Sequence, residues 1–213
     1  MTEYKTVARE ASAEQTIEKS KFTGYIRSVE SREEAEEFIA GIRAKHRDAT
    51  HNVPAFVIGD EMQLQWASDD GEPAGTSGAP VLRLLTGEGI TNTVIVITRY
   101  FGGIKLGTGG LVRAYTGTAR LALEKAGVCL VREMDRLSFD VDYSVYGKLQ
   151  RMEGDGLFRI DSTSFEDIVK IAVVTECENT DQLRARLSDL TGGACSGDKI
   201  VLEKIIGKSE IQC

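Results

Sequence analysis

The spacing of apolar side chains divides the first part of the chain into strands interrupted by one helix. Residues 15–20 with 22–29, and residues 51–59 with 62–67, are paired short segments with strand-like sequences, which predicts two strand hairpins. Residues 31–47 lie between the hairpins. Their apolar side chains recur at three- and four-residue spacing behind a Ser-x-x-Glu capping sequence, which predicts an amphipathic helix.

The middle of the chain combines a long loop, a buried strand and further helices. Residues 68–80 are rich in Gly, Pro and Asp, so they predict irregular structure, followed by a short helix over 80–85. Residues 93–98 are all β-branched, which indicates a strand buried on both faces. A helix over 111–125 and a strand over 128–133 complete this part.

The last third of the chain follows a different pattern. Apolar positions predict strands and helices in the order βαββαβ, over residues 137–141, 145–152, 157–165, 167–176, 180–190 and 199–205. This is the element order of a ferredoxin-like domain. The sequence therefore predicts an α+β protein of two domains, residues 1–134 and residues 135–213.

Composition agrees with two globular domains. Of 213 residues, 41% are hydrophobic and 28% charged, which excludes disordered and collagen-like classes. The four cysteines are singly spaced without a CxxC pair, which favours a reducing cytoplasm. The polar N-terminus lacks a signal-peptide core, and the longest aliphatic run is far below the ~20 residues that span a bilayer. We therefore expect a cytoplasmic protein without a membrane segment.

Charge is distributed unevenly along the chain. The net charge is −7, yet residues 89–123 contain no Asp or Glu. A glycine-rich turn between a strand and a helix falls in this stretch, and such turns expose backbone N–H groups that bind phosphate or carboxylate. The candidate anion or nucleic-acid site consists of Arg99, Gly102, Gly103, Lys105, Gly107, Gly109, Gly110, Arg113 and Arg120.

The helix after this turn has its own pattern. Arg113, Gly117 and Arg120 share one face, so Gly117 predicts a flat gap between two cations. Two structural alternatives stay open: Arg120 is spaced to pair with Glu124, and Arg99 is placed to reach the preceding acidic loop. The turn matches neither the P-loop nor the GxGxxG fingerprint, so no nucleotide cofactor is expected.

Three carboxylates, Asp69, Asp70 and Glu72, lie close together in the turn-rich loop. Such a cluster suits a Mg²⁺ site or an acid–base pair. The alternative is an Asx-type turn in which the carboxylates cap their own backbone or pair with a neighbouring cation. The chain has only two histidines, which leaves few nitrogen ligands for a hydrolytic metal centre, so we assign no metal site and no catalytic residue.

Three segments, SDDGEPAGT (68–76), TRYFGGIKLG (98–107) and GGLVRAY (109–115), closely resemble the IMPACT/YigZ family. The resemblance covers residues 1–134 as the IMPACT-type domain and the remainder as the small C-terminal domain of bacterial members. It implies a ribosomal-protein-like βα fold followed by a ferredoxin-like fold, a pairing similar to the fourth and fifth domains of elongation factor G. It also implies a link to translation, because eukaryotic members are translation regulators.

We therefore expect a non-enzymatic cytoplasmic protein that binds RNA or the ribosome through the basic strand, loop and helix. A translation-associated protein bound by the same face is the close alternative, and sequence-specific DNA recognition is not expected. The competing hypothesis is an enzyme that acts on a phosphorylated or carboxylated small molecule. In that case the glycine-rich loop would hold the anion, and Asp69 or Asp70 would act as base or Mg²⁺ ligand.

Overall fold

A computed structural model describes residues 3–193 and 200–210 of the chain. Two units are present, one consisting mainly of Thr2–Val131 and the other mainly of Arg132–Gly207. Each unit combines helices and strands, so the predicted two-domain α+β organisation is confirmed. The boundary expected between residues 134 and 135 lies close to this division. Among the helices of the described residues, none has the length and apolarity needed to cross a membrane.

Among the residues that the structure describes, the N-terminal unit contains most of the strands and three helices. In chain order its elements are β1 (Tyr4–Val7), β2 (Ala11–Ile17), β3 (Ser20–Ser28), α1 (Arg32–Lys45), β4 (His51–Ile58), β5 (Leu64–Ala67), α2 (Gly78–Gly87), β6 (Thr93–Tyr100), α3 (Gly107–Ala126) and the beginning of β7 (Val128–Val141).

The main sheet of this unit has the strand order β2-β3-β6-β4-β5, and every neighbouring pair is antiparallel. Helices cover both of its faces. Val94 and Val96 of the central strand β6 pack with α1, whereas the alternate residues Ile95 and Ile97 pack with α2 and α3. The continuous β-branched sequence of β6 is explained by this double coverage, because side chains of a strand point alternately to its two faces.

The C-terminal unit contains the rest of β7, α4 (Tyr143–Met152), β8 (Arg159–Phe165), β9 (Val169–Glu176), α5 (Thr180–Thr191) and most of β10 (Val201–Glu210). Its strands pair in the order β8-β9-β7, and β10 also pairs with β7; the first residues of β7 pair with β1. Buried Leu149 of α4 and Leu187 of α5 share one core with Leu137 and Val173 of the sheet. The predicted βαββαβ order of elements is confirmed. The likeness of the N-terminal unit to a domain of elongation factor G stays a prediction.

Strand β7 is longer than the sequence indicates. The predicted break between residues 133 and 137 is wrong, because β7 runs without interruption from Val128 to Val141. A buried charged residue in this stretch finds partners on the neighbouring elements α5 and β10. Asp135, 4% exposed, accepts hydrogen bonds from Thr180 and Lys204, the latter at 2.7 Å. Buried polar groups with such partners are compatible with a strand.

Candidate anion-binding surface

The glycine-rich segment joins β6 to α3 and packs against a neighbouring turn. Gly102 lies so close to the β2–β3 turn that a Cβ there would collide with the carbonyl group of Lys19. The N–H of Gly102 donates to Oγ of Ser20 at 3.1 Å. Gly103 and Gly107 have φ angles of 87° and 71°, a region that residues with a β-carbon rarely adopt. These glycines therefore shape the backbone of the segment.

Helix α3 begins inside the glycine-rich segment, at Gly107, and not at Leu111 as the sequence pattern predicts. Gly109 and Gly110 consequently lie in its first turn. The N-cap residue, Leu106, makes no side-chain cap hydrogen bond, and the first turn has no acidic residue. Because the first N–H groups of a helix lack intrahelical partners, this turn presents donors at the positive end of the helix dipole.

Two of the four predicted cations lie at this helix start. Arg113 is exposed, and its Nη1 lies 3.6 Å from the position that a Cβ on Gly109 would occupy. Its guanidinium therefore folds back over the first turn of α3. Lys105 is exposed in the loop immediately before the helix. The structure thus places Arg113 over the uncapped helix start and Lys105 in the loop that leads into it.

Further along α3, other contacts occupy the predicted surface. Arg120 pairs with Glu88 through Nη1 and Oε1 at 2.9 Å, and not with the candidate partner Glu124. An added Cβ on Gly117 would lie 3.3 Å from Nε2 of Gln15 in β2. The predicted flat gap between Arg113 and Arg120 is therefore wrong, because a side chain from the sheet covers it.

The fourth cation, Arg99, is buried. It is 5% exposed, and its Nη1 donates to Oε1 of Glu72 at 2.6 Å. Its guanidinium carbon lies 5.3 Å from the ring centre of Phe22 and 5.4 Å from that of Phe101. Nε of Arg99 is buried and has no hydrogen-bond partner among the described residues. Arg99 thus pairs with the acidic loop, which is the structural alternative that the sequence left open for this residue. Its charge is neutralised inside the protein.

Glu72 connects three other elements. The same Oε1 that accepts from Arg99 also accepts from the hydroxyl of Tyr115 on α3 at 2.7 Å. Nε2 of His51 on β4 lies 3.8 Å from this oxygen. Burial, reinforced by the hydrogen bond to Glu72, raises the pKa of Tyr115 far above its ordinary value. Tyr115 therefore stays protonated and serves as a fixed donor to the carboxylate.

Asp69 caps helix α2 across the loop. Its Oδ1 accepts the backbone N–H groups of Ser77 at 3.1 Å and Gly78 at 2.9 Å, and the Ser77 hydroxyl at 2.7 Å. Its Oδ2 accepts the N–H of Gly75 at 2.7 Å. Desolvation raises the pKa of Asp69, but these hydrogen bonds outweigh it and lower the pKa below its ordinary value. For Asp69, this arrangement is the Asx-type turn that the sequence allowed as the alternative to a Mg²⁺ site or an acid–base pair.

Asp70 ties the loop to α1 and β4. Its Oδ1 accepts from Nη2 of Arg43 at 2.7 Å, and its Oδ2 accepts from the N–H of Asn52 at 2.7 Å. All three carboxylates of the acidic loop are thus satisfied by the protein itself. Within residues 3–193 and 200–210, no group of three or more His, Cys, Asp or Glu side chains is arranged to hold a metal ion.

Two aromatic residues of this region are not among the candidates predicted from the sequence. Phe101, directly after β6, is 45% exposed beside the loop. Its position before two glycines is a usable signal, because a loop that tight leaves an aromatic ring little room to be buried. Tyr115 is fully buried on a helix face of small residues. A buried tyrosine hydroxyl needs a partner, so its presence there indicates a polar group at the helix–sheet interface.

Comparisons with known proteins match both parts of the chain. Residues 18–123 match the Impact N-terminal domain, and residues 139–194 match a domain of unknown function, DUF1949. The IMPACT family member YvyE of Bacillus subtilis (strain 168) is 36% identical over 206 residues, which cover 95% of each chain. The IMPACT family member YigZ of Escherichia coli (strain K12) is 33% identical over 180 residues, 84% of this chain and 88% of YigZ.

Solved structures agree with these relatives. The crystal structure of a hypothetical protein, 31% identical, covers 95% of this chain and 97% of its own at a TM-score of 0.59. The two-domain translational regulator Yih1 is 23% identical and gives a TM-score of 0.35, which is too weak a match to support a structural conclusion about this chain. The resemblance seen in the sequence is confirmed by the two domain matches and by the identity to YvyE over nearly the whole chain. This chain belongs to the IMPACT family.

Proposed function

We propose that this chain is a non-enzymatic cytoplasmic binding protein with a translation-linked regulatory role, which engages RNA or the ribosome through one surface of its N-terminal unit. This loop–helix surface consists of Phe101, Lys105, Arg113 and the first turn of α3, residues 107–110. Family membership supports the link to translation, since the resemblance implies that eukaryotic members regulate translation.

The position of Arg113 over the uncapped first turn of α3 carries the proposal. A phosphate placed there would meet backbone N–H donors, the guanidinium of Arg113 and the ammonium of Lys105. No acidic residue lies in this turn to compete. The neighbouring cations Arg99 and Arg120 each form a salt bridge with a glutamate. In the part of the chain that the structure describes, Lys105 and Arg113 have no carboxylate partner.

Phe101 adds a second kind of contact. Its ring is 45% exposed and is held from behind by the guanidinium of Arg99. Aromatic rings beside cations bind unpaired bases by stacking, which contributes about 1–3 kcal/mol per base. Because duplex DNA keeps its bases stacked inside, this combination favours single-stranded or looped RNA.

The geometry supports a binding role over the enzyme hypothesis. An enzyme that acts on a phosphorylated or carboxylated small molecule would share the anion site but also needs a base or a Mg²⁺ ligand. The carboxylates of Asp69 and Asp70, the candidates for that role, are occupied by the protein's own donors. A translation-associated protein bound by the loop–helix surface is the remaining alternative.

Co-sedimentation with ribosomes and with protein-free RNA, at about 50 and 200 mM salt, tests the proposal. The informative variant is Lys105→Glu with Arg113→Glu. Arg47→Glu with Arg83→Glu is the matched control, because both residues are exposed and the charge change is the same. Each phosphate contact contributes about 0.7–0.9 to the slope of log K against log salt, so losing two contacts flattens the slope by about 1.4–1.8.

Phe101→Ala separates stacking from charge. We expect it to weaken RNA binding about tenfold while the salt slope stays unchanged, since stacking releases no counterions. Equal RNA binding by the wild type and the Lys105/Arg113 variant would contradict the proposal. Ribosome binding that survives nuclease treatment would instead assign the surface to a protein partner.

A further inference from the structure

The C-terminal unit holds an ordered cluster of aromatic rings at one end of its sheet. Phe165, the last residue of β8, stacks on Tyr143 at a ring-centroid distance of 6.2 Å and meets Tyr146 edge-on at 5.3 Å. The hydroxyl of Tyr143 donates to the carbonyl group of Glu166 at 2.7 Å. Two elements, the start of α4 and the end of β8, therefore fix the rings before any partner binds.

This cluster is left in contact with water. Phe165 is 56% exposed and Tyr143 is 53% exposed, and Ile168 in the following turn is 37% exposed. Burial of apolar surface is favourable by about 25 cal/mol per Å², so an exposed group of large side chains is costly unless another molecule covers it. Contiguous exposed apolar patches of this kind mark interaction surfaces.

Acidic residues flank the aromatic residues in the sequence. Segments 142–146 and 165–168 contain three acidic residues and no Lys or Arg. Asp142 is the N-cap residue of α4 but makes no side-chain cap hydrogen bond, and Asp167 is exposed in the β8–β9 turn. Glu166 pairs with Lys170 at 2.9 Å, and both side chains are more than half exposed. The patch is therefore negatively charged. Residues 135–213 as a whole are also negative, because they contain 15 acidic and 10 basic side chains.

Charge and shape together define the complementary ligand. Lysine and arginine side chains pack their methylene stems on aromatic rings and place their cations over ring faces. Their charged ends form the strongest hydrogen bonds with carboxylates. RNA is the poorer match, because aromatic platforms that stack bases are lined by cations that attract phosphate, and here carboxylates would repel it.

We propose that one surface of the C-terminal unit docks a Lys- or Arg-rich segment of a partner protein. This aromatic–acidic surface consists of Asp142, Tyr143, Tyr146, Phe165, Glu166, Asp167 and Ile168. It shares no residue with the loop–helix surface, so it does not depend on the function proposed above.

Selection from a library of random peptides, with the full chain as bait, tests this docking surface. We expect the wild type to enrich peptides rich in Lys and Arg, and we expect a selected peptide to bind Phe165→Ser about tenfold more weakly. Asp142→Lys with Asp167→Lys should weaken binding by a similar factor. Glu178→Lys with Asp189→Lys, the same charge change at exposed positions of the same unit, should leave binding unchanged.

Peptide-induced NMR shifts in the wild type locate the site without a mutation, and we expect them at Tyr143, Phe165 and Ile168. Selected peptides without a basic bias, shifts confined to other residues, or equal binding by Phe165→Ser would each overturn the proposal. Competition between the peptide and single-stranded RNA for these residues would overturn it in favour of an RNA site.

Discussion

Glu72→Gln tests whether the acidic loop is structural. The substitution keeps the shape of the side chain but removes the charge that neutralises Arg99. The side chains of Glu72 and Arg99 are only 3% and 6% exposed, so water cannot replace the lost charge. Breaking one partner of a buried ion pair costs about 3–5 kcal/mol. The amide oxygen of Gln can still accept one hydrogen bond, so we expect a loss near the lower limit, about 3 kcal/mol.

Urea unfolding followed by tryptophan fluorescence measures this loss. The chain has one tryptophan, Trp66 in β5, so the signal reports the N-terminal unit alone. With an m-value of about 2 kcal/mol/M, a loss of about 3 kcal/mol lowers the urea midpoint by about 1.5 M. Glu88→Gln is the matched control, because it breaks an Arg–Glu pair whose side chains are about half exposed. Exposed pairs contribute about 0–1 kcal/mol.

The comparison of the two variants decides the argument. Equal, small losses for Glu72→Gln and Glu88→Gln would mean that Arg99 does not need Glu72. The buried network described above would then be refuted, and Glu72 would become available again for binding or catalysis.

Three other buried contacts can be tested by substitution in the same way. Tyr115→Phe should cost about 1.5–3 kcal/mol by urea unfolding, because it removes a hydrogen bond to a buried carboxylate. Asp69→Asn should cost about 1–2 kcal/mol at neutral pH, because backbone N–H groups donate to both carboxylate oxygens and an amide has only one oxygen to accept them. Because folding lowers the pKa of Asp69, its carboxylate stabilises the folded state above the unfolded-state pKa. This stabilisation is lost as the pH falls through the folded-state pKa. The stability of Asp69→Asn should therefore decrease less steeply than that of the wild type when the pH is lowered through the acid range. Lys204→Met leaves Asp135 buried without its cation and should lower the calorimetric Tm of the C-terminal unit more than Lys170→Met, whose pair is exposed.

Local sequence signals predicted the elements whose causes are local. Ser31 accepts the N–H of Glu34 at the start of α1, as the capping sequence indicates. The β-branched run of β6 likewise identified the centre of the main sheet. The start of α3 was misplaced because glycine is a poor helix former in isolation. In the folded unit, packing of α3 on the sheet outweighs that low propensity, as Leu111, Ala114 and Tyr115 are buried there.

The electrostatics of the candidate site could not be read in the same way. Residues 89–123 lack carboxylates in sequence, but the fold brings Glu72 to Arg99 and Glu88 to Arg120 from outside that stretch. A sequence segment without carboxylates therefore does not by itself indicate a positive surface, because acidic residues from elsewhere in the chain can pair with its cations. Arg113 and Lys105 remain candidates for anion binding, because among the described residues neither forms a salt bridge and the first turn of α3 has no acidic residue.

The two proposed surfaces make a crossed prediction. They belong to different units and share no residue, so changes at one should not alter the other beyond a few tenths of a kcal/mol. Lys105→Glu with Arg113→Glu should weaken the binding of protein-free RNA, flatten its salt dependence and leave the capture of basic peptides intact. Phe165→Ser should do the reverse. A variant that removes both activities while its circular dichroism spectrum is unchanged would show that the two surfaces act as one site, and the assignment of separate ligands to them would then be wrong.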